Sequence, residues 1–328
     1  MRIFAVPALI VAVLLTGVSA QSGAPSPAWP APPAPARIRV LRTLEPASVR
    51  KRPSMFSRFV RLLAGPGVQP TMTQPYGIAV GPDGRVYVAD TSDGSIHIYD
   101  IERRQYHPIK VDAESLIGIG LAGDRIIVTD STSGRVLCLD AKGRKVWTLG
   151  RRDGFERPTG IATAPDRLYV VDTMLHRVVI VSPAGHVVGT FGTRGTGPGQ
   201  FNFPTNIARS GDGRLFVTDA MNFRVQVFDA DGHPLGAFGR LGDGLGDFDK
   251  PKGVAVDSEG HVYVVEGLND VVQVFDVAGR LLLTFGGSGV GAGQLWLPSG
   301  IAIARDMVYV ADSANGRVQM FEYLKEPL

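Results

Sequence analysis

Six acidic residues recur along the chain at the same place in the same phrase. Asp90, Asp130, Asp172, Asp219 and Asp312 each close a run such as "VYVAD" or "LFVTD", and Glu266 closes the fifth in chain order, "VYVVE". Five residues later stands Arg135, Arg177, Arg224 or Arg317, whereas Ser95 and Val271 hold that position in the first and fifth copies. A carboxylate and a guanidinium at this spacing can form charge-assisted, bidentate hydrogen bonds. Two uses are open to such a pair, a structural clasp or a ligand site. A clasp is needed in every copy and a ligand site in only one, so Asp130 with Arg135, Asp172 with Arg177, Asp219 with Arg224 and Asp312 with Arg317 are read as structural. Removing one partner of a buried pair strands a charge at a cost on the order of 3–5 kcal/mol.

Nucleophilic and metal chemistry are less well provided for. Cys138 is the only cysteine and lies in the apolar run "RVLCLD", where a thiol reads as a small buried hydrophobe. Of six histidines, His186, His233 and His261 fall in or beside hairpin turns at one end of the expected strands. His97 lies within a strand, His107 near the end of the first repeat, and His176 alone on the opposite face. A zinc site needs several converging His, Cys or carboxylate ligands, and no three histidines occupy equivalent repeat positions. The expectation is no catalytic residue, no cofactor and no metal, with a carboxylate-bound Ca²⁺ left open.

The elements that must position these residues follow from the repeat itself. Each unit opens on Pro75-Tyr76-Gly77, Leu116-Ile117-Gly118, Pro158-Thr159-Gly160, Pro204-Thr205-Asn206, Pro251-Lys252-Gly253 or Pro298-Ser299-Gly300. The third residues of these triplets are spaced 41 to 47 apart, the length of one four-stranded propeller blade. Within a unit, four short runs rich in β-branched and aromatic residues alternate with Asp/Ser/Gly turns such as "GDG" and "DADG", the chemistry of tight hairpins. The fold class is therefore all-β, a six-bladed propeller of four-stranded antiparallel blades. The last unit stops at "RVQMFEYLKEP" without a fourth strand. "SRFVRLLAG" (57–65) resembles the fourth-strand run "GRLLLTFGG" (279–287), so an N-terminal strand there is expected to complete the last blade and close the ring, which removes the exposed edges. "RIRVLRTL" (37–44) reads as an additional edge strand.

The phrase Pro-x-Gly-Ile-Ala, then Val-Tyr-Val-Ala-Asp, then Val-x-Val-Phe-Asp resembles the NHL-repeat six-bladed β-propellers over roughly residues 57–325. That resemblance implies the fold and leaves function open, because the family spans unrelated activities. It includes peptidyl-hydroxyglycine lyases, and other six-bladed propellers act as lactonases or esterases with metal in the central channel. Animal members that bind RNA or act in ubiquitin ligases are a third comparison. A single cysteine excludes the ligase zinc domain, and phosphate binding needs a basic face where residues 62–328 are net acidic.

Functional differences must lie where the copies disagree. In an antiparallel meander the loop between the second and third strands shares a face with the connection between blades. The connections end in "GFERP", "FNFP", "FDKP" and "LWLP". They place Glu156, Arg157, Asn202, Phe203, Asp249, Lys250 and Trp296 on that face, beside the triplet residues Tyr76, Thr159, Thr205, Lys252 and Ser299. His176, Met221, Asn222, Asn269, Asp270 and Asn315 complete it from the other loops. Phe203 and Trp296 have a second reading, as side chains packed beneath the loops. Such a surface suits recognition of a protein, peptide or polymer. A non-catalytic binding or scaffolding module is the first reading, and a metal-dependent propeller enzyme, lyase-like or lactonase-like, the alternative.

The N-terminal region has a different composition. "MRIFAVPALIVAVLLTGVSA" carries one early cation, Arg2, an apolar run and the small-residue ending Val18-Ser19-Ala20, the pattern of a cleaved export signal; a retained anchor helix is the alternative. Export implies a periplasmic or secreted protein. "QSGAPSPAWPAPPAPA" (21–36) reads as a semi-rigid spacer. Residues 37–56 begin a basic segment in which Arg37, Arg39, Arg42, Arg50, Lys51, Arg52, Arg58 and Arg61 face only Glu45, a charge balance suited to anionic surfaces including membrane head groups. A closed ring needs no partner subunit, so a monomer is expected.

Overall fold

The computed structural model describes residues 26–45 and 71–325. The expected export signal, the first part of the spacer and the segment 57–65 lie outside the described residues. Five blades take their four strands in chain order: Pro75–Lys110, Leu116–Leu149, Pro158–Phe191, Pro204–Phe238 and Pro251–Gly286. The sixth has Ile301–Ala304, Met307–Asp312 and Arg317–Tyr323, completed by Ile38–Leu44 and then the short strand Ala28–Trp29.

An N-terminal strand thus closes the ring, but it is Ile38–Leu44 that lies antiparallel to Arg317–Tyr323. The edge expected for residues 57–65 is occupied by the segment read as an accessory strand. Its alternation explains the choice: Ile38, Val40 and Leu44 are buried while Arg39, Leu41 and Arg42 face out. Ile38 and Val40 enter the core shared with the fifth blade, and Leu44 enters the core shared with the first. Within the segment read as a spacer, Ala28–Trp29 pairs antiparallel with Ile38–Leu44. The Trp29 ring packs at a tilt against Phe285 and Phe321, with centroids 6.0 Å and 6.1 Å apart, and an aromatic of that size anchors the Pro-rich segment to blades five and six.

The core consists of six apolar layers, each between adjacent sheets, and Tyr99, Tyr169, Phe216, Phe228, Phe275 and Phe321 are among its fully buried members. Cys138 belongs to one such layer, where burial pushes its thiol up.

The innermost strands meet around the axis, and the third triplet residue sits at the point of closest approach. A Cβ on Gly118 would collide with the Thr159 carbonyl, and one on Gly300 with the Tyr76 carbonyl. Glycine is required there because the neighbouring backbone occupies the space of a side chain. Gly300→Ala is therefore expected to destabilise the junction between the last and first blades by roughly 1–3 kcal/mol, the usual range for overpacking. A thermal melt checks this, with Gly236→Ala, whose added Cβ meets nothing within 4 Å, as the control.

Candidate functional site

One hydrogen bond, repeated six times, builds the loop face. A backbone N–H one or two residues after each repeated acid donates to a carbonyl just before the opening strand of the same blade: Thr91 to Gln74, Ser131 to Ser115, Thr173 to Arg157, Met221 to Asn202, Gly267 to Lys250 and Ala314 to Trp296. The loop between strands two and three therefore lies against the interblade connection, as the meander requires.

The acid locks the arrangement. All six carboxyl groups are fully buried. Asp172 accepts from Glu156 N–H (2.8 Å) and Arg157 N–H (3.0 Å), Asp130 from Glu114 (3.2 Å) and Ser115 (3.1 Å), and Glu266 from Asp249 (3.0 Å) and Lys250 (2.6 Å). The arginine pairs with it in three of the four expected cases: Arg135 with Asp130 at 2.9 Å, Arg224 with Asp219 at 2.9 Å and Arg317 with Asp312 at 2.6 Å. Its other nitrogens reach carbonyls of the incoming connection, as Arg317 does to Val290, Gly291 and Gln294. The fourth expected pair does not form. Arg177 donates to the Gly154 carbonyl at 2.6 Å instead, and its Nε is buried without a hydrogen-bond partner.

Several residues expected to contact a ligand are consumed by the frame. His176 is buried, accepts from Phe203 N–H at 3.1 Å through Nδ1 and meets the Phe203 ring edge-on at 4.6 Å. Phe203 thus follows the packed reading. Asn222 donates to Gly195 and Asp219, Asn315 to Gly289 and Asp312, and Asn202 to the Met221 carbonyl. Thr159 bonds Thr173 at 2.9 Å, and Ser299 bonds Ser313 at 2.6 Å. Thr173 and Ser313 in turn donate to the carbonyls of Pro204 and Pro75 in the next blade.

What remains open surrounds the axis. A cavity of about 360 Å³ is lined by Tyr76, Ile117, Glu114, Lys252, Leu297 and Ser299, among others. In the fifth blade the hydroxyl position after the acid is Gly267, and the Lys252 ammonium fills that gap by donating to Pro298 at 3.1 Å. Burial pushes this ammonium below its ordinary range, and nearby Lys250 adds to the effect. Burial pushes the Tyr76 phenol up, offset in part by the Arg157 guanidinium. Burial also raises the Glu266 carboxyl, against the hydrogen bonds that Lys250 and Asp249 donate to it. The triplet residues around the axis provide an ammonium, a phenol and hydroxyls, with no imidazole or carboxylate among them. Glu114 adds one carboxylate to the lining, and among the described residues no group of three or more His, Cys, Asp or Glu ligand atoms converges there.

The loops of the same face carry an apolar fringe, of which Leu297 lines the cavity. Met174, Leu175, Met221, Leu268, Trp296 and Leu297 all lie in the loops of this face and are all exposed, Trp296 at 52%. Glu156 is half-buried and Arg157, Asp249, Lys250 and Asn269 are exposed among them, while the half-buried Thr205 has its Oγ1 buried and unpaired. Of the fringe, Leu175 and Leu268 were legible only as apolar residues at loop tips otherwise built from polar ones.

A larger concavity of about 910 Å³ lies on the outer rim, where Pro30, Pro35 and Arg37 face Glu259, His261 and Tyr323. Its polar groups are committed to one another: Tyr323 donates to Glu259 at 3.1 Å, and His261 sits 2.9 Å from Asp257.

Together the ring and its loop face define a six-bladed β-propeller. An NHL repeat model matches residues 72–99, the first three strands of the first blade, so the chain carries an NHL repeat within that ring. The search of curated proteins finds no match. Among solved structures, the chain is similar to a virginiamycin B lyase from Staphylococcus aureus, at 14% identity and TM-score 0.58, over 77% of this chain and 96% of that one. It is similar to a gluconolactonase from Xanthomonas campestris at 18% identity and TM-score 0.60, over 77% and 87%. A third likeness is to an auxiliary nutrient binding protein from Bacteroides thetaiotaomicron, at 14% and TM-score 0.62, over 78% and 70%. At these identities the likeness establishes the fold.

Proposed function

We propose that the protein is an exported binding module whose loop face holds a peptide or a protein segment, with an anionic group of that partner seated in the axial cavity. The observation that carries this reading is a cation in the cavity of a face whose loops carry exposed apolar side chains. Clustered exposed apolar side chains on a rigid face mark interaction surfaces, and Trp296 has the character of a binding anchor. An ammonium has three donors; Lys252 commits one to Pro298 and can offer the others to a carboxylate or phosphate. Tyr76 lines the same cavity, and the Arg157 guanidinium is close enough to act on its phenol and adds positive charge on this face. A similar fold in a nutrient binding protein supports a binding role, whereas the lyase and the gluconolactonase support the enzymatic alternative.

Selection of a displayed random peptide library against the immobilised protein tests the reading. Enriched peptides are expected to carry an acidic residue flanked by apolar ones and to fail to bind a folded Lys252→Ala/Trp296→Ala variant. Peptides without acidic residues, or equal capture by the variant, would remove this face from consideration. Hydrolysis of a chromogenic lactone and ester panel, reduced by Lys252→Ala, would instead support the enzymatic alternative.

A further inference from the structure

The first blade departs from the clasp in a way the other departures do not share. Ser95 stands where Arg135, Arg224 and Arg317 supply a cation to the buried acid. Asp90 is nevertheless fully buried. It accepts N–H groups from Thr73 (2.7 Å) and Ser92 (2.9 Å), with Gln74 at 3.2 Å and the Ser92 hydroxyl at 2.6 Å. Among the described residues the only basic side chain within ion-pair distance of it is His97, at 3.5 Å from Nε2 to Oδ2. That Nε2 is buried and makes no hydrogen bond.

We propose that Asp90, Asp93 and His97 form a binding site for a divalent transition-metal cation of the zinc type. Their ligand atoms all lie within 4.8 Å of one another. The separation of 3.5 Å between Nε2 and Oδ2 is long for a hydrogen bond but close to the ~3.3 Å that separates two ligands of a tetrahedral zinc at ~2.0–2.1 Å from each. The imidazole is already oriented. Its Nδ1 lies 2.8 Å from the Tyr106 hydroxyl, and a partner on the far nitrogen fixes the ring and its tautomer in metal sites. Asp93 is set by Ser95, whose N–H donates at 3.0 Å and hydroxyl at 2.9 Å. Its carboxylate remains half-exposed, 3.7 Å from Lys110, so an ion can enter from solvent and keep a water as fourth ligand. Two oxygens and one imidazole nitrogen suit zinc better than the all-oxygen shell that calcium prefers. The ion would provide in this blade the positive charge that arginine provides in blades two, four and six.

The other blades supply the control. The position of His97 is Gln226, Gln273 or Gln319 in blades four to six, and Gln226 and Gln319 donate to their own acids at 3.1 Å. His97→Gln should therefore keep the fold and remove the metal ligand. Asp93→Asn keeps an oxygen for the Ser95 N–H and removes the second carboxylate. The full chain, stripped with chelator, would be titrated with zinc alone by calorimetry, with cobalt substitution read from its visible absorption. The wild type should take up one equivalent, show a tetrahedral cobalt spectrum and melt at a higher temperature with zinc. Both variants should melt as the metal-free wild type does and bind zinc on the order of 100-fold more weakly. Should His97→Gln fail to fold, Asp93→Asn alone decides. No stoichiometric uptake by the wild type, or undiminished uptake by the folded variants, would overturn the site.

Discussion

Replacing Ile38 and Leu44 together by alanine is expected to abolish the cooperative melt of the ring and to drive the protein into higher oligomers. The two side chains are fully buried and belong to different interblade layers. Their losses should therefore add, as those of independent sites do. Each large-to-small change in a core costs about 2–5 kcal/mol, and a domain has only ~5–15 kcal/mol in total. Loosening this strand also bares the edge Arg317–Tyr323, a template for pairing with another chain. Light scattering after size exclusion, together with a circular dichroism melt, reads both consequences. A monodisperse variant with an unshifted melt would mean that Ile38–Leu44 does not close the ring in solution.

The second large effect concerns the clasp. Asp312→Ala removes the acceptor of Trp296 N–H (2.7 Å), Arg317 Nε (2.6 Å), Asn315 (2.9 Å) and Gln319 (3.1 Å) at once. A buried cation left without its partner costs on the order of 3–5 kcal/mol, and Arg317 is only 14% exposed. Asp312→Ala/Arg317→Leu should recover part of that loss. Arg177→Ala supplies the contrast, because Arg177 makes no bond to Asp172 and serves only the Gly154 carbonyl; its cost should be near 1 kcal/mol, the worth of an ordinary hydrogen bond. Chemical denaturation of the four proteins checks the order. Equal losses in Asp312→Ala and Arg177→Ala would refute the account of the clasp.

These two cases show what was legible in the chain and why. The six acids and the five triplet glycines could be read at once because each answers a demand that recurs from blade to blade: backbone N–H groups of the incoming connection to satisfy, and a neighbouring backbone too close for a side chain. The closing strand was harder. Outer strands are half-solvated, as the mostly exposed Val187–Phe191 and Pro234–Phe238 show. Their composition therefore carries little positional information, and residues 57–65 were read as the closing strand ahead of 37–44. Phe203 and His176 were read as ligand-facing residues, whereas both adopt positive φ and their rings meet edge-on. Lys252 was legible as a variable residue, whereas its bond across to Pro298 depends on the hydroxyl missing at Gly267 and needed three dimensions. The Asp90, Asp93 and His97 group escaped notice because it is spread over two strands and a loop and includes an acid assigned to the frame.

Binding of one acidic, apolar-flanked peptide from the library selection, measured by calorimetry on the wild type and on single variants, tests the proposed function most directly. Truncating a central anchor costs about 2 kcal/mol or more, so Trp296→Ala and Lys252→Ala should each weaken binding roughly 30-fold. Arg144→Ala, on an exposed turn at the opposite end of the second blade, should leave it unchanged. Equal affinity across all four proteins would contradict the assignment of the loop face and its axial cavity as the binding site.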